Sequence, residues 1–360
     1  TVYTDTLHFA GPVANDFSAS VNNGFIVISD IPCFAAGTRI LTGWGSRKVE
    51  DLAVGDEVLS ARDGRGRKII WAGHRTVDLS RHANPDKAIP VLITAGAFGD
   101  SLPERDLRVS PDHALYIEGC LIEAKTLVNG TTILRDRTAR FVTYHHIELE
   151  SHDVVLAEGL PAETYLDSGN RRNFESGAGP LALHPDFAAA SRAGSCADLL
   201  LDGEIVRQAR QKLLDRAFAL GFRRTDAIDL VALINGDVIA PHADDTGRAL
   251  IFVLPADASR VTLLSSTGVP AETSADPGDR RVLGVAVTEL ALITGGRRIL
   301  IDLNGAHEGF HAAEAGQRWT AGKASIALPT YAGRAVLEVS LAGQAARWLA
   351  PSGVREFANV

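Results

Sequence analysis

Residues 31–59 read IPCFAAGTRILTGWGSRKVEDLAVGDEVL, and this stretch decides the fold. Short apolar runs at 40–41 and 58–59 are set off by glycines and charged residues, the cadence of brief strands and turns. The same cadence continues outward at 69–71, 91–93, 114–117, 132–134, 141–144 and 154–156, punctuated by Gly, Asp or Asn. An all-β domain of short strands is therefore expected over residues 33–175.

Working outward, residues 1–32 carry β-like runs at 1–6 and 24–29 between Gly, Asn and Pro, a strand-and-turn flank too short to fold alone. On the other side, residues 174–197 are rich in Gly, Ala and Pro and read as a connector. Residues 202–222, DGEIVRQARQKLLDRAFALGF, place Ile205, Ala209, Leu213, Ala217 and Leu220 at helical spacing. Asp202 is the expected N-cap and Gly221 stands near the stop. Beyond Arg224 the runs are again strand-like (249–254, 260–264, 282–287, 299–303, 335–339), so residues 176–360 should hold one amphipathic helix and a second β-rich, sandwich-like domain. The fold class is mainly β.

With 36 Lys and Arg against 44 Asp and Glu, the net charge of the 360 residues is 36 − 44 = −8, which argues against nucleic-acid or anionic-membrane partners. The apolar run 281–294 is interrupted by Glu289, and a spanning helix needs about 20 apolar residues, so no transmembrane segment is expected. No basic, apolar leader precedes Thr1; a secretory signal is expected to be absent or already removed, which leaves export open. The absence of Met points to a processed fragment or to modified methionines. Cys33, Cys120 and Cys196 are too widely spaced for a disulfide framework or a C-x-x-C zinc or redox pattern, and their odd number leaves at least one thiol. Cys120 and Cys196 read as passive small apolar residues.

Cys33 is the first candidate nucleophile. A cysteine nucleophile needs a proton acceptor and stabilisation of the developing oxyanion, and His113, in Ser110-Pro-Asp-His113, is the best isolated partner. Taken alone, the two residues have a blander alternative as a buried thiol and a structural turn histidine.

The order of three blocks narrows the choice. Cys33-Phe-Ala-Ala-Gly-Thr-Arg-Ile with Val49-Glu-Asp-Leu-Ala-Val-Gly-Asp-Glu-Val-Leu59 resembles the opening block of Hint domains, the self-processing module shared by hedgehog proteins and inteins. Ser110-Pro-Asp-His113-Ala-Leu resembles the second block, with Ser in place of the commoner Thr. Thr143-Tyr-His-His-Ile-Glu-Leu-Glu-Ser-His-Asp-Val-Val-Leu-Ala-Glu-Gly159 resembles the last, and its continuation looks like the bacterial Hint branch of large, often surface-associated proteins. The resemblance covers about residues 33–174 and, by that analogy, leaves a secreted or cell-surface location in view.

The resemblance implies that the Cys33 thiol attacks the Pro32 carbonyl, converting the peptide bond into a thioester. His113 would pass a proton to the leaving nitrogen while Ser110 holds the bond. The last block would supply a further acid or base, Asp153 ahead of His152. Splicing inteins end in His-Asn, whereas Glu163 and Thr164 stand here, so cleavage without splicing is expected. The substrate is the protein's own N-terminal segment and the acceptor is water or a small nucleophile; no cofactor is implied. Pro32, where hedgehog proteins have a small flexible residue, restricts the scissile bond, which makes slow cleavage or an inert scaffold the alternative. Asp78 stands at a plausible distance to activate an acceptor, although a solvated turn carboxylate is its plainer reading. Adjacent strand residues such as His145 and His146 face opposite sides, so no metal site is assigned.

Farther along, Trp319, His311 and Glu314 lie in a turn-rich stretch that could bind a glycan, against the alternative of a core-capping Trp with solvated charges. Three function classes therefore compete: self-processing, a glycan-binding or adhesion module with an inert Hint scaffold, and a trans-acting thiol hydrolase.

Overall fold

The structure is a computed structural model that describes residues 32–82, 84–167, 171, 194–243, 249–256, 258–305 and 307–351, with the backbone of 20–22 and 25–27. The expected β-like run at 1–6 and most of the connector at 174–197 lie outside the described residues. Strands Ser20–Asn22 and Phe25–Val27 form a small antiparallel pair. Among the described residues no helix is long and apolar enough to cross a membrane. The chain divides into two compact units, one of residues 1–92, 103–125 and 135–199, the other of 93–102, 126–134 and 200–360.

The first unit is built of short antiparallel strands. Hydrogen-bonded neighbours run Leu107–Val109, Phe34–Ala35, Phe141–Leu149, Gly66–Asp78, Glu57–Leu59, Arg39–Thr42, Val154–Ala157, Leu160–Glu163, Ala114–Ile117 and Cys120–Glu123. Its spine is the pairing of Phe141–Leu149 with Gly66–Asp78, from Phe141↔Asp78 to Leu149↔Ile69, with an irregularity between Glu148 and Leu149. The aromatic and β-branched residues of FVTYHHIEL suit a pleated, half-buried surface, and Val142, Tyr144, His146 and Ile147 are buried there. Phe34–Ala35 lies against this spine and ends at Gly37, whose φ of +90° calls for glycine. A Cβ at Gly37 would meet nothing within 4 Å, so the turn, rather than a close approach, explains the residue.

In the second unit, Val231–Ile234, Arg260–Leu264, Arg318–Ala327, Val285–Thr294, Ala335–Gln344 and Ala249–Leu254 are successive neighbours. Arg318–Ala327 serves two partners. Residues 323–327 pair with Arg260–Leu264, and Arg318 and Trp319 pair with Val287 and Ala286. Gly322, at φ +88°, lies between the two halves, where a Cβ would stand 2.4 Å from Thr267. The strands enclose an apolar core that includes Phe252, Leu254, Val261, Leu263, Leu290, Leu292, Leu337 and Val339.

The helix of this unit spans Glu204–Ala219. The expected cap at Asp202 is replaced by Gly203, without a side-chain cap bond. The buried face is also rotated from the expected one: Val206, Ala209, Arg210, Leu213, Leu214 and Ala217 point inward, while Leu220 is exposed. Arg210 tolerates burial because its guanidinium donates to four carbonyls, of Thr126, Val128, Ala271 and Ser274. Burial, aided by the charge of Arg280, still lowers its pKa to about 10.

Candidate active site

Strand register places the site. Ala35↔Tyr144 and Phe34↔His145 are antiparallel partners, which puts Cys33 opposite His146. On the other side Phe34↔Val109 puts Cys33 opposite Ser110. Directly opposed residues project to the same face of a sheet, so both neighbours are delivered to Cys33 by main-chain pairing.

The side chains use this placement. The Cys33 N–H donates to Ser110 Oγ at 2.8 Å, and Ser110 N–H returns a bond to the Cys33 carbonyl at 2.9 Å. Cys33 Sγ meets His146 Nε2 at 2.5 Å. His145, one residue along, takes the other face and stacks on His74 with ring centroids 5.7 Å apart. His113 follows Ser110 in a tight turn closed by its own N–H on the Ser110 carbonyl at 3.1 Å. Its buried ring packs on Phe34 with centroids 4.3 Å apart. Asp112 in the same turn pairs with Lys125, whose ammonium also reaches Glu123 at 2.9 Å.

The sulfur lies in an apolar cluster with Ala35, Leu79, Ile89, Val142, Tyr144 and Tyr165. Burial pushes the Cys33 thiol well above its ordinary pKa, against the Ser110 hydrogen bond and the charge of Arg75. Burial likewise holds His146 well below its ordinary value, reinforced by the charges of His113 and His145. Both shifts favour a neutral thiol against a neutral imidazole. Proton transfer between them then accompanies bond formation rather than preceding it.

Ser110, expected from sequence, is in direct contact with Cys33, and His113 packs against the adjacent Phe34. His146 was missed. The pair His145-His146 was weighed only as metal ligands, although the same alternation that argued against a metal already requires one of the two to face inward. Asp153 and His152 have other company. Asp153 accepts the Val154 N–H at 2.8 Å, lies 3.4 Å from Arg67, and lines an open pocket of about 430 Å³ with Ser60, Arg62, Asp63 and Tyr116. His152 lies between Cys196 and the buried Glu163. Asp78 accepts the Ser80 N–H and Oγ–H, as a turn carboxylate does.

In the second unit, the His311 N–H donates to the Trp319 carbonyl at 2.9 Å, and the His311 Nε2–H donates to the Val282 carbonyl at 2.9 Å. Glu314 is held by Arg281 at 3.1 and 3.2 Å, and Trp319 is half-buried. His311 Nε2 and the Glu314 carboxylate thus each have a partner within the protein. Among the described residues no cluster of three or more His, Cys, Asp or Glu is arranged to hold a metal ion.

Comparison with known proteins adds the family. A sequence family described as Hint domain matches residues 32–169. Among solved structures, the chain is similar to a bacterial intein-like domain from Clostridium thermocellum, at 15% identity over 37% of this chain and 98% of that one, with a TM-score of 0.28. It is also similar to the MchDnaB-1 intein, at 17% identity over 36% and 98% of the two chains with a TM-score of 0.27. The gp41-1 intein gives 14% identity over 36% and 97%, again with a TM-score of 0.27. No curated protein matches the chain. Residues 32–169 carry the match to the Hint domain family, and it is at the level of that family that self-processing is supported.

Proposed function

We propose that this domain cleaves its own backbone at Pro32–Cys33 by an N-to-S acyl shift followed by hydrolysis, without splicing. The observation that carries this reading is that both reacting atoms of Cys33 have partners. Ser110 Oγ engages the scissile nitrogen at 2.8 Å, and His146 Nε2 engages the sulfur at 2.5 Å.

At rest the thiol keeps its proton, because burial opposes both charged forms. As Sγ bonds to the Pro32 carbonyl carbon, its proton passes to His146 Nε2. The Cys33 nitrogen loses amide resonance, takes a proton as the C–N bond breaks, and becomes a free amine. His113, beside the same turn, is the donor in this scheme, and Ser110 Oγ holds the nitrogen in line. Proton exchange then restores both imidazoles, so the net step moves one proton from sulfur to nitrogen and exchanges an amide for a thioester. Water adds to the thioester carbonyl, the sulfur regains its proton, and the products are a chain ending in the Pro32 carboxylate and one beginning at Cys33. Positioned general acid–base groups of this kind are worth about 10²–10⁴ in rate.

Cleavage is favoured over splicing because Glu163 and Thr164 occupy the positions of the cyclising pair. Glu163 is moreover engaged, its carboxylate accepting the Ala114 N–H at 2.9 Å. Incubation of the purified protein with dithiothreitol tests the scheme. A fragment beginning at Cys33 should accumulate in the wild type and faster in Pro32→Gly. It should be absent in Cys33→Ala and slowed in His113→Ala. Equal cleavage in Cys33→Ala would overturn the mechanism, and no cleavage in either the wild type or Pro32→Gly would leave the domain an inert scaffold.

A further inference from the structure

The one other cluster in this unit that joins a thiol, an imidazole and a carboxylate lies around Cys196, among the described residues and beyond the family match at 32–169. Its sequence gives no hint of this, since Cys196 follows a Gly- and Ala-rich connector. In the structure Leu121 N–H donates to the Asp198 carbonyl at 2.8 Å and fastens the segment to the Cys120–Glu123 strand. The Cys196 N–H reaches His152 Nδ1 at 3.0 Å, so Nδ1 is the nitrogen that faces the cysteine. The opposite nitrogen, Nε2, donates to the Thr164 carbonyl at 3.1 Å and lies 3.4 Å from Glu163 Oε2. Glu163 is wholly buried and is itself fixed by the Ala114 N–H on its other oxygen.

The ring is therefore oriented at both ends. Its Nε2 proton is committed to Glu163 and Thr164, and its basic nitrogen is turned to Cys196. Cys196 is half-buried and so remains open to a small reagent, whereas His152 and Glu163 behind it are buried. Burial alone would make the ring a weaker base. The Cys196 side chain and the Glu163 carboxylate more than reverse this and raise its pKa to about 9. A thiol beside a strengthened base, itself positioned by a third group, is the arrangement that activates cysteine nucleophiles.

We propose that Cys196, His152 and Glu163 form a second thiol site, separate from Cys33, that reacts with low-molecular-weight disulfides. In its neutral form, the one that accepts the Cys196 N–H at Nδ1, the His152 ring takes the Cys196 thiol proton at that nitrogen once the N–H has left it, in the turn at Gly194, whose φ is +88°. The sulfur attacks one sulfur of the disulfide RSSR. A Cys196–SR bond forms as the RS–SR bond breaks, and the departing RS⁻ takes the proton from the imidazolium. The balance is one protein thiol plus RSSR giving a mixed disulfide and RSH, with Cys196 oxidised and the leaving sulfur reduced.

The test uses the full chain carrying Cys33→Ala, so that backbone cleavage does not enter the readout. The protein is treated with oxidised glutathione, and separately with the aromatic disulfide DTNB, and labelling of each cysteine is followed by peptide mass spectrometry. Cys120, also half-buried, is the internal control. Cys196 should react about tenfold faster than Cys120. His152→Gln and Glu163→Gln should bring its rate down to that of Cys120, with folding checked by circular dichroism. Equal rates at the two cysteines in the parent protein would overturn the proposal, as would a Cys196 rate unchanged in a folded His152→Gln. The parent comparison decides the matter if that variant does not fold. Cys196→Ser in the otherwise unaltered protein should leave Pro32–Cys33 cleavage unchanged, which keeps the two proposals separable.

Discussion

The interiors of the two units differ in kind. Among the described residues of the first, three histidines, three aspartates and four glutamates are buried: His113, His146 and His152, Asp112, Asp136 and Asp153, and Glu123, Glu148, Glu158 and Glu163. In the second, Arg210 is the one buried charged side chain among the described residues, and the core around Phe252 and Leu337 is apolar. Burying a titratable group is costly unless it is paired and hydrogen-bonded. The second unit avoids that cost. The first meets it with specific partners such as Lys125 for Asp112 and Arg105 for Glu158. A β-fold that carries this much buried polarity needs a reason beyond stability, and the acyl shift proposed at Cys33 is one.

The contrast can be broken most sharply at adjacent residues of one strand. His146→Gln should slow Pro32–Cys33 cleavage by about 10²–10⁴, while His145→Gln, which alters the opposite face, should stay within about twofold of the wild type. Gel time courses under dithiothreitol decide it, and equal losses would show that the two faces are not functionally distinct. A mirror experiment in the second unit is Phe252→Ala. Removing a completely buried ring should cost roughly 3–5 kcal/mol of that unit's stability in denaturant unfolding while leaving the cleavage rate unaltered.

A smaller effect sharpens the comparison through pH. The folded His146 pKa is depressed below the ordinary 6.5, so unfolding lets the ring take up a proton that the native state refuses. The unfolded state then binds more protons below that value, and this contribution to stability is present above 6.5 and lost as pH falls. Unfolding midpoints measured between about pH 7.5 and 5 should therefore decline less steeply in His146→Gln than in the wild type. The smallest expected effect belongs to Ser110→Ala, which deletes one neutral hydrogen bond on the scissile nitrogen. It should cost about 1 kcal/mol, or roughly fivefold in cleavage rate, as measured by the same time course.

Much of the fold was legible in the sequence, because short apolar runs between turn residues leave few alternatives to brief antiparallel strands. The contact of Ser110 with Cys33 was anticipated by the resemblance of their blocks to Hint domains. The contact of His146 with Cys33 was not, because it follows from which strand pairs with residues 34–35, and that register is set by tertiary contacts that local pattern does not carry. The helix shows a related limit. Its apolar residues fit more than one face, and the face chosen includes Arg210 because four carbonyls are at hand to receive it. The neighbours of Cys196 were likewise beyond the sequence: His152 and Glu163 are distant along the chain and meet it through folding alone.

The most direct measurement of the central claim is chemical trapping of the acyl group. Hydroxylamine at neutral pH should convert a Pro32 thioester into a fragment whose C-terminal proline carries a hydroxamic acid, recognised by its mass, and Cys33→Ala should yield none. A hydroxamate ending at any other residue, or the same product from Cys33→Ala, would contradict attack by the Cys33 sulfur on the Pro32 carbonyl.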